Sequence, residues 1–479
     1  MPIPVISVGQ MREWEQATWA AGQTKETVIA CVGELVARRA LKMTRETDYV
    51  LVLAGKGHNG DDARMARPHL EERRVELLEV ADPAAALPQL MELLRQQPAL
   101  LIDGLFGIGL NRPLDAAWVQ FIEAMNQSGV PTLAVDVPSG LDADSGEMQG
   151  AAVRATVTLT LGAAKRGLVT VAAARQVGRL EVAPDIGLIP CPLRRGDTPE
   201  PLQWTLPEDL SGFPPPRFAA GHKGMYGHLG IVAGSLGYHG AAVLAARGAQ
   251  RARPGLITLC CQPGVYGPVA TQLQAVMVRP WNSELVGNDL TGVLAGPGLA
   301  AKDIAEPVRS EVRRLWTTLP QPMVVDASAL DWLRPDPFPE GAVRVITPHP
   351  GEAARLLRTT AAEVQSNRAR ALRQLSAHFG DCWVILKGSQ TLIGRFTGDI
   401  HVNPTGNAEL AQGGTGDILA GYCAGWLAQF SQRAHPLPAL RYAVWQHGAA
   451  ADRLSARGRH WVVEELIEEL ANVSQRTRA

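Results

Sequence analysis

The sequence lacks the features that mark secreted, membrane-spanning and nucleic-acid-binding proteins. Its 46 Lys and Arg residues nearly balance its 47 Asp and Glu residues, so no overall charge attracts nucleic acid or a membrane surface. No apolar run approaches the ~20 residues of a membrane span, and residues 1–16 contain no apolar signal-peptide core. The six cysteines show no C-x-x-C spacing, which indicates free thiols in a reducing compartment. We therefore expect a soluble cytoplasmic α/β protein.

Proline divides the chain. At 479 residues the protein is too long for one ordinary core, which indicates two or three domains. Eight of the 27 residues from Pro190 to Pro216 are proline, a residue that removes backbone donors and blocks both helices and central strands. We predict a first domain over residues 1–205, a proline-rich linker over residues 206–216 and a second domain over residues 217–479.

Both halves alternate short apolar, β-branched runs with amphipathic helical stretches, a pattern typical of parallel sheets with crossover helices. In the first half, strands are predicted at residues 49–55, 75–80, 99–104, 132–137 and 155–162. In the second half they are predicted at residues 229–235, 255–261, 292–298, 322–327, 343–348 and 382–388. Ligands of open α/β sheets bind beyond the carboxyl ends of the strands, so we expect functional residues in the loops that follow these runs.

The stretch NPTGNAELAQGGTGDILAG, residues 403–421, places glycines and one aspartate where a loop gives way to an apolar helix. Glycine inside a helix costs about 1 kcal/mol relative to alanine. At a helix start, however, glycine leaves backbone N–H groups bare at the positive end of the helix dipole, where phosphate binds. Asp417 could merely cap the helix. A base beside a phosphate site would explain the glycines as well as the carboxylate.

Two further stretches of the second half carry polar residues at predicted strand ends. ILKGSQT, residues 385–391, places Lys387 at the end of an apolar strand, where a lysine is costly to bury unless it is paired, and phosphate is a natural partner. The spacing of a Walker A motif is absent. TPHPGE, residues 347–352, places His349 between two prolines in a loop, which favours a ligand role over a core role; Asp326 and Glu352 also follow predicted strands.

In the first half, GKGHNGDD, residues 55–62, is a glycine-rich turn that opens a helix. Alone it is a weak dinucleotide-type signal that a tight turn would explain equally well. Asn59, Asp103 and Ser139 all lie in strand-end loops. They are hard oxygen donors of low total charge, which suit a monovalent cation better than Mg²⁺.

Together these motifs resemble those of the NAD(P)H-hydrate repair enzymes. GKGHNGDD, DGLFGIGLNRP, VDVPSGLDADSG and the segment 161–188 resemble the epimerase domain of that family over about residues 1–190. LAGSxxYxGAA, GPGL, TPHPGE, LKGxxT and NPTGNxxLAxGGTGD resemble its ADP-dependent dehydratase domain, a member of the ribokinase-like superfamily, over residues 217–475. The resemblance implies a Rossmann-like, three-layer α/β/α first domain and a ribokinase-like α/β second domain.

The resemblance also implies a function, the repair of hydrated NADH and NADPH. The first domain would interconvert the R and S hydrates, and the second would use ADP to dehydrate the S form, releasing NAD(P)H, AMP and phosphate. The expected partners are the two hydrated cofactors, ADP and a second copy of the chain. The alternative is a ribokinase-like vitamin or sugar kinase with a non-catalytic, nucleotide-binding first domain.

The family's site residues carry over by position. The implied K⁺ ligands are Asn59, Asp103 and Ser139. In the epimerase domain, with Asp136 catalytic, the hydrated cofactor is implied to bind His58, Asn59, Gly60, Asp61, Asp62, Gly107, Ile108, Gly109, Leu110, Asn111, Arg112, Pro113 and Asp136. In the dehydratase domain, with Asp417 as the catalytic acid/base, it is implied to bind Ala241, Gly298, His349 and Asp417. ADP, with Mg²⁺, is implied to bind Lys387, Gly388, Ser389, Gln390, Thr391 and Gly416.

Three residues of the first glycine-rich turn depart from the family pattern N-N-G-G-D-G. His58 stands where the family has asparagine, and Asp61 and Ala63 stand where it has glycine. A side chain at Asp61 needs room next to a phosphate and adds a like charge, so we expect it to crowd the phosphate pocket.

Overall fold

The computed structural model describes residues 2–193, 201–281, 289–432 and 435–472. The chain forms two compact units that divide between Pro201 and Leu202. In the described ranges, no helix combines the length and the apolar character that crossing a membrane requires.

The first unit is built on a parallel sheet. The strands of this sheet are β2 (Tyr49–Ala54), β3 (Arg74–Glu79), β4 (Leu100–Gly104), β5 (Thr132–Val135), β6 (Val157–Leu161) and β7 (Arg179–Ala183), whereas the two-residue strand β1 (Ile3–Pro4) is not part of it. The six strands pair in parallel in the order β3-β2-β4-β5-β6-β7. The helices are α1 (Val8–Ala20), α2 (Lys25–Leu41), α3 (His58–Ala66), α4 (Pro83–Arg95), α5 (Ala116–Gln127) and the single turn α6 (Ala174–Val177).

Helices cover both faces of this sheet because successive strand side chains point to opposite sides. Val50 and Val52 of β2 pack in one apolar cluster with residues of α1, α2 and α3. Leu51 and Leu53 pack in a second cluster with residues of α4 and α5. The unit therefore has three layers, α/β/α, and its strands read as continuous apolar runs because both faces are buried.

The second unit contains a longer mixed sheet. Its strands are β8 (Leu202–Trp204), β9 (His228–Val232), β10 (Leu256–Cys261), β11 (Met277–Pro280), β12 (Gly292–Ala295), β13 (Met323–Val325), β14 (Arg344–Ile346), β15 (Trp383–Leu386), β16 (Leu392–Gly394) and β17 (Ile400–Val402). They lie in the order β8-β17-β16-β15-β14-β13-β12-β9-β10-β11, with β16 antiparallel to both neighbours and every other pair parallel.

Nine helices of the described part of this unit are α7 (His239–Ala252), α8 (Tyr266–Ala270), α9 (Glu306–Thr318), α10 (Pro350–Leu357), α11 (Ala361–Ser366), α12 (Arg368–His378), α13 (Thr415–Leu427), α14 (Pro436–Ser455) and α15 (Val463–Glu469). Alternating residues of β14 show that the sheet is covered on two sides. Val345 packs in the apolar cluster with α7, α13 and α14, whereas the neighbouring Arg344 donates from Nε to the Trp316 carbonyl of α9 at 2.7 Å.

Every predicted strand is present, with ends that shift by a few residues. The short strands β1, β7, β8, β11, β16 and β17 were not predicted, because runs of two to five residues carry too little periodicity to be recognised.

The predicted boundary between the domains is wrong. Strand β8, predicted within the first domain, pairs with β17 of the second unit. The predicted linker also packs in the second unit, since Leu210 is buried in its core and Phe213 stacks on Tyr442 at 5.2 Å between ring centroids. Asp209 forms an ion pair with Arg441 at 2.8 Å. The prediction of a linker rested on proline content alone. It did not take into account the apolar and charged residues between the prolines, which anchor the segment.

Helix α13 contacts α7 backbone to backbone. A Cβ atom added at Gly421 would lie 1.9 Å from the Ala245 carbonyl oxygen, and one added at Gly248 would lie 2.4 Å from the Ile418 carbonyl oxygen. Real Cβ contacts are never this short, so side chains larger than hydrogen are excluded at both positions. The contact fixes the first turn of α13, where Asp417 lies.

Candidate active sites

The polar residues predicted in the second half meet at one edge of the sheet. Residues 296–298 follow β12, Asp326 follows β13, residues 347–349 follow β14 and Lys387 follows β15. These four parallel strands are neighbours, so their carboxyl ends bring the four loops side by side.

Lys387 is held by carboxylates. Its Nζ lies 2.9 Å from Asp326 Oδ1 and 3.8 Å from Glu352 Oε2, and Asp326 also accepts from Thr347 Oγ1 at 2.6 Å. Burial lowers the pKa of Lys387, but the nearby carboxyl groups of Asp326, Glu352 and Asp417 outweigh burial and raise it. Phosphate was the partner expected from the sequence; in the structure, protein carboxylates already balance this charge.

Asp417 lies in the first turn of α13 without capping it. The N-cap is Gly414, which adopts a left-handed φ of 101°. The Asp417 carboxyl forms no hydrogen bond with any residue that the structure describes, so the interpretation of a simple helix cap is wrong. Burial and the nearby Asp326 raise its pKa to about 7, although Lys387 opposes the shift. A free carboxyl group that titrates near neutrality is suited to general-base catalysis.

Gly416 brings the helix start next to Lys387. A Cβ atom at Gly416 would lie 3.4 Å from Lys387 Nζ, so the glycine backbone, the lysine ammonium and the Asp417 carboxyl surround the same space. An anionic group there would meet a cation, a helix N-terminus and a base.

The loop between β15 and β16 contains the other predicted nucleotide residues, Gly388, Ser389, Gln390 and Thr391. Arg368 of α12, a buried arginine that the sequence analysis missed, supports this loop through hydrogen bonds. It donates to the carbonyl oxygen of Ser389 at 2.5 Å, of Leu386 at 3.0 Å and of Gln390 at 3.2 Å. Burial lowers its pKa to about 10. Its only sequence signal is its place directly after the helix N-cap, which does not reveal a contact with a loop some twenty residues away.

Gly388 and Gln390 have left-handed backbones, with φ of 137° and 53°. Thr391 Oγ1 donates to the Gly388 carbonyl at 3.0 Å. The loop is thus a tight, defined turn that Arg368 and Thr391 hold in one shape.

His349 has a structural role that the sequence did not reveal. It is the N-cap of α10, and its Nδ1 accepts from the backbone N–H groups of Gly351 at 3.0 Å and Glu352 at 3.3 Å. Glu352 returns the contact by accepting from the His349 N–H at 2.8 Å. The histidine side chain is 53% exposed, and its Nε2 lies 3.6 Å from Glu352 Oε1.

Ala241 and Gly298, both predicted to contact the hydrated cofactor, lie against each other. A Cβ atom at Gly298 would lie 3.0 Å from Ala241 Cβ and 2.3 Å from the Tyr238 carbonyl oxygen. Gly298 has a φ of 67°, so both its backbone conformation and its surroundings require glycine.

Helix α14 anchors the loop that leads into α13, through residues that the sequence analysis also missed. Asp452 accepts from the Gly406 N–H at 3.1 Å and from Asn407 Nδ2 at 3.0 Å. His447 Nε2 lies 3.0 Å from the Thr415 carbonyl oxygen, and burial lowers its pKa to about 4.

In the first unit a cavity of about 570 Å³ opens at the carboxyl edge of the sheet. It is lined by nine of the predicted residues, His58, Asn59, Asp62, Gly107, Ile108, Gly109, Leu110, Arg112 and Asp136. The other four, Gly60, Asp61, Asn111 and Pro113, are not among its lining residues.

Asp136 forms a buried ion pair with Lys165, which the sequence analysis had not singled out. Lys165 is fully buried, and its Nζ lies 2.5 Å from Asp136 Oδ1. The same oxygen accepts from the Leu161 N–H at 3.1 Å and from Thr160 Oγ1 at 3.2 Å. Asp136 has a left-handed φ of 63°, a strained conformation that is common at functional sites.

Two of the three predicted K⁺ ligands, Asn59 and Ser139, contact the Phe106 backbone, and the third, Asp103, contacts Ser139. Asn59 Nδ2 donates to the Phe106 carbonyl at 3.0 Å. Ser139 Oγ accepts from the Phe106 N–H at 2.8 Å and donates to Asp103 Oδ1 at 2.6 Å. Asp103 is fully buried, and burial raises its pKa to about 6 even though the Ser139 and Leu105 contacts oppose the shift.

Asp61 does not crowd the cavity, contrary to our expectation. Its carboxylate forms an ion pair with Arg64 at 2.8 Å, and Arg64 also contacts Glu79 at 2.6 Å. Ala63 is buried and faces Gly104, at which an added Cβ would lie 2.4 Å from Ala63 Cβ. Two of the three departures from the family pattern, Asp61 and Ala63, are therefore accommodated away from the cavity, whereas the third, His58, lines it.

Comparison with known proteins identifies both units. The family model described as NAD(P)H-hydrate dehydratase matches residues 229–475, and the one described as YjeF-related protein N-terminus matches residues 76–167. The bifunctional NAD(P)H-hydrate repair enzyme of Gloeobacter violaceus is 34% identical, over 98% of this chain and 96% of its own. That of Coxiella burnetii is also 34% identical, over 94% of each chain. The chain belongs to this family.

Solved structures confirm the ribokinase-like fold predicted for the dehydratase unit of this repair enzyme. The ADP/ATP-dependent NAD(P)H-hydrate dehydratase of Bacillus subtilis, co-crystallised with ATP and Mg²⁺, is 30% identical with a TM-score of 0.51. The match covers 57% of this chain and 98% of that one. A ribokinase-like superfamily protein of Enterococcus faecalis, 24% identical with a TM-score of 0.50, covers 58% of this chain and 96% of its own, and supports the fold alone.

Proposed function

We propose that the second unit uses ADP to phosphorylate the hydroxyl group of S-hydrated NADH or NADPH and thereby dehydrates the cofactor. We propose that the first unit supplies this S hydrate by interconverting the R and S forms. The observation that carries this proposal is the unpartnered Asp417 carboxyl, which titrates near pH 7 beside Lys387 and the glycines of the helix start.

The chemistry follows from the poor leaving ability of hydroxide. Asp417 takes the proton of the ring hydroxyl, whose oxygen attacks the terminal phosphorus of ADP, and AMP leaves. The ring then loses phosphate and a proton from the neighbouring carbon, which restores the double bond. Positioning and electrostatics supply most of the catalysis in such phosphoryl transfers. Lys387 and the backbone amides at the start of α13 provide positive charge for the transferring phosphoryl group.

Mg²⁺ would enter with the nucleotide. The structure contains no cluster of three or more His, Cys, Asp or Glu residues arranged for a metal within its described ranges. Mg²⁺ commonly binds through nucleotide phosphates and only one or two carboxylates, and Asp326 and Glu352 lie beside Lys387 to provide them. When bound, the ion would neutralise phosphate charge.

K⁺ is the cation that we propose for the first unit. Asp103 is a buried carboxylate for which the structure shows no basic partner in the part of the chain it describes. Asn59, Ser139 and the Phe106 carbonyl add neutral oxygens around it. One carboxylate and several neutral oxygens fit a monovalent ion, which would offset the desolvation of Asp103 and fix the loops that line the cavity.

The test is to incubate the protein with a mixture of R and S hydrates, ADP and Mg²⁺. We expect complete recovery of the NAD(P)H absorbance, with AMP and free phosphate as the other products. Chromatography of the two isomers during the reaction separates epimerisation from dehydration. A stable phosphorylated substrate would instead identify a kinase, and no recovery with either ADP or ATP would contradict the proposal.

A further inference from the structure

A second acidic residue lies in the cavity of the first unit beside Asp136. Asp62 of α3 is 7% exposed and lines the cavity, yet its carboxyl forms no hydrogen bond or ion pair with any described residue. Buried carboxyl groups are normally paired, because an unpaired one loses its hydration without compensation. A buried and unpartnered carboxyl at a cavity wall therefore indicates a ligand that it contacts.

The two aspartates of this cavity differ in their partners. Asp136 is ion-paired with the fully buried Lys165. Asp62 has no cation and is surrounded by acidic groups instead. Burial is the main cause that raises the pKa of Asp62 to about 8, and the nearby acidic groups of Asp136, Asp61 and Glu15 also raise it. The basic side chains that also line the cavity are Arg12, Lys25, Lys56 and Arg112.

We infer that Asp62 is the proton donor of the epimerase reaction and acts directly on the hydroxyl group of the hydrated nicotinamide ring. The inference rests on the epimerase activity proposed above and adds to it the residue that breaks the bond. Pairs of titratable groups whose surroundings separate their protonation states are the arrangement that acid–base catalysis requires.

In the proposed epimerisation, the ring loses water and then adds it again. The hydrate forms when water adds to an enamine, which places the hydroxyl group on the carbon bonded to the ring nitrogen. The nitrogen lone pair can therefore form a double bond to that carbon when the hydroxyl group leaves. Asp62 gives its proton to the hydroxyl oxygen, the C–O bond breaks with its electron pair on oxygen, and water leaves. The nitrogen lone pair forms a C=N bond, giving a cation beside the Asp136 carboxyl group. Water then adds to the opposite face, and its proton returns to Asp62.

Glu15 is the alternative proton donor. It also lines the cavity and forms no hydrogen bond or ion pair with any residue that the structure describes, and burial raises its pKa as well. We assign the role to Asp62 because Glu15 is less buried, and because Asp62 lies on the helix that begins within the ligand-binding turn.

The experiment compares Asp62→Asn with Glu15→Gln and with Glu123→Gln, which removes the charge of an exposed glutamate on α5 outside the cavity. Pure R hydrate is supplied and its conversion to S hydrate is followed. General acid catalysis typically contributes about 10²–10⁴-fold, so Asp62→Asn should slow conversion by at least that lower factor. Glu123→Gln should convert R hydrate at the rate of the unmodified protein.

The same samples separate this inference from the proposed function. Dehydration of pure S hydrate with ADP depends on the other unit and should be unchanged in Asp62→Asn, while circular dichroism checks the fold. Conversion in ¹⁸O-labelled water should place the label in the hydroxyl group of the product. If the unmodified protein does not interconvert the isomers, the epimerase function itself fails. If the unmodified protein does interconvert the isomers, any one of three results overturns the assignment to Asp62. These results are normal conversion by Asp62→Asn, loss of activity in Glu15→Gln alone, or the absence of label from the product.

Discussion

At the scale of single residues, each unit leaves one aspartate of its proposed site without a hydrogen bond or ion pair to any residue that the structure describes. Asp62 is buried and Asp417 is half-buried, and burial is the main cause that raises their pKa values to about 8 and about 7. An unsatisfied buried polar group typically costs about 1–3 kcal/mol of stability. The chain tolerates this cost at the two positions where the proposed chemistry moves a proton, which is where strongly shifted pKa values are expected.

Asp417→Asn should reduce the dehydration of S hydrate by about 10²–10⁴-fold while ADP still binds, because the amide cannot accept the hydroxyl proton. Turnover is measured by the recovery of NAD(P)H absorbance, and ADP affinity by calorimetry. Asp336→Asn, which changes an exposed aspartate, is the matched control. A variant that kept a large part of its turnover would show that Asp417 is not the base.

The pH dependence of the same reaction should follow Asp417. Its pKa is raised to about 7, and only the deprotonated form is a base. Activity is therefore present above that pH and is lost as the pH falls through it, with kcat/KM decreasing about tenfold per pH unit on the acid side. A profile that stays flat across neutral pH would contradict this assignment.

At the scale of elements, glycine serves packing as well as phosphate binding. Helix α13 presents Gly421 and Gly425 to α7, and α7 presents Gly248 to α13, so the two backbones approach closely. This contact, together with the turn at Gly414, sets where the first turn of α13 points. The helix start that carries Asp417 is positioned by contacts made along the rest of the helix.

Gly421→Ala tests this packing role through the sign of its effect. Helix propensity alone would make alanine more stable than glycine by about 1 kcal/mol. A Cβ atom would, however, meet the Ala245 carbonyl oxygen at 1.9 Å, and overpacking of this kind costs about 1–3 kcal/mol. We expect a lower free energy of unfolding in urea. At Gly413 a Cβ meets nothing within 4 Å, so Gly413→Ala is the control. Stabilisation by Gly421→Ala would contradict the packing argument.

At the scale of the whole molecule, the two proposed sites lie in separate units and are proposed to act on the same hydrated cofactors. The first unit contains a cavity with Asp62, Asp136 and the oxygen cluster around Phe106. The second contains Lys387, Asp417 and the nucleotide loop. No residue of either set belongs to the other unit, so the two activities should respond separately to mutation and to ions.

Replacing K⁺ with Li⁺ should therefore impair one reaction only. Li⁺ is too small to contact the Asn59, Asp103, Ser139 and Phe106 oxygens together, so conversion of R hydrate should approach its spontaneous rate. Dehydration of pure S hydrate, measured in the same buffers, is the control and should be unaffected. In a mixture of isomers, the R form should remain after the S form is consumed. Equal slowing of both reactions would argue against a K⁺ site in the first unit.

The sequence by itself determined the strands and the loops that hold most of the site residues. Apolar runs and glycine-rich turns are local patterns, and the carboxyl ends of parallel strands meet at one edge by geometry. Asn59, Asp103 and Ser139 were grouped on this basis, as were Lys387 and His349. The motif around Asp417 was recognised for the same reason, because its glycines and its carboxylate are adjacent in the chain.

Only the tertiary structure decided which partners these residues have. Lys165 lies 29 residues from Asp136 and Asp326 lies 61 residues from Lys387, and no local pattern encodes either ion pair. The same holds for the contact of Arg368 with the loop after β15 and for the packing of the predicted linker. Ion pairing, desolvation and close packing depend on distances in space, which are set only when distant segments fold against each other.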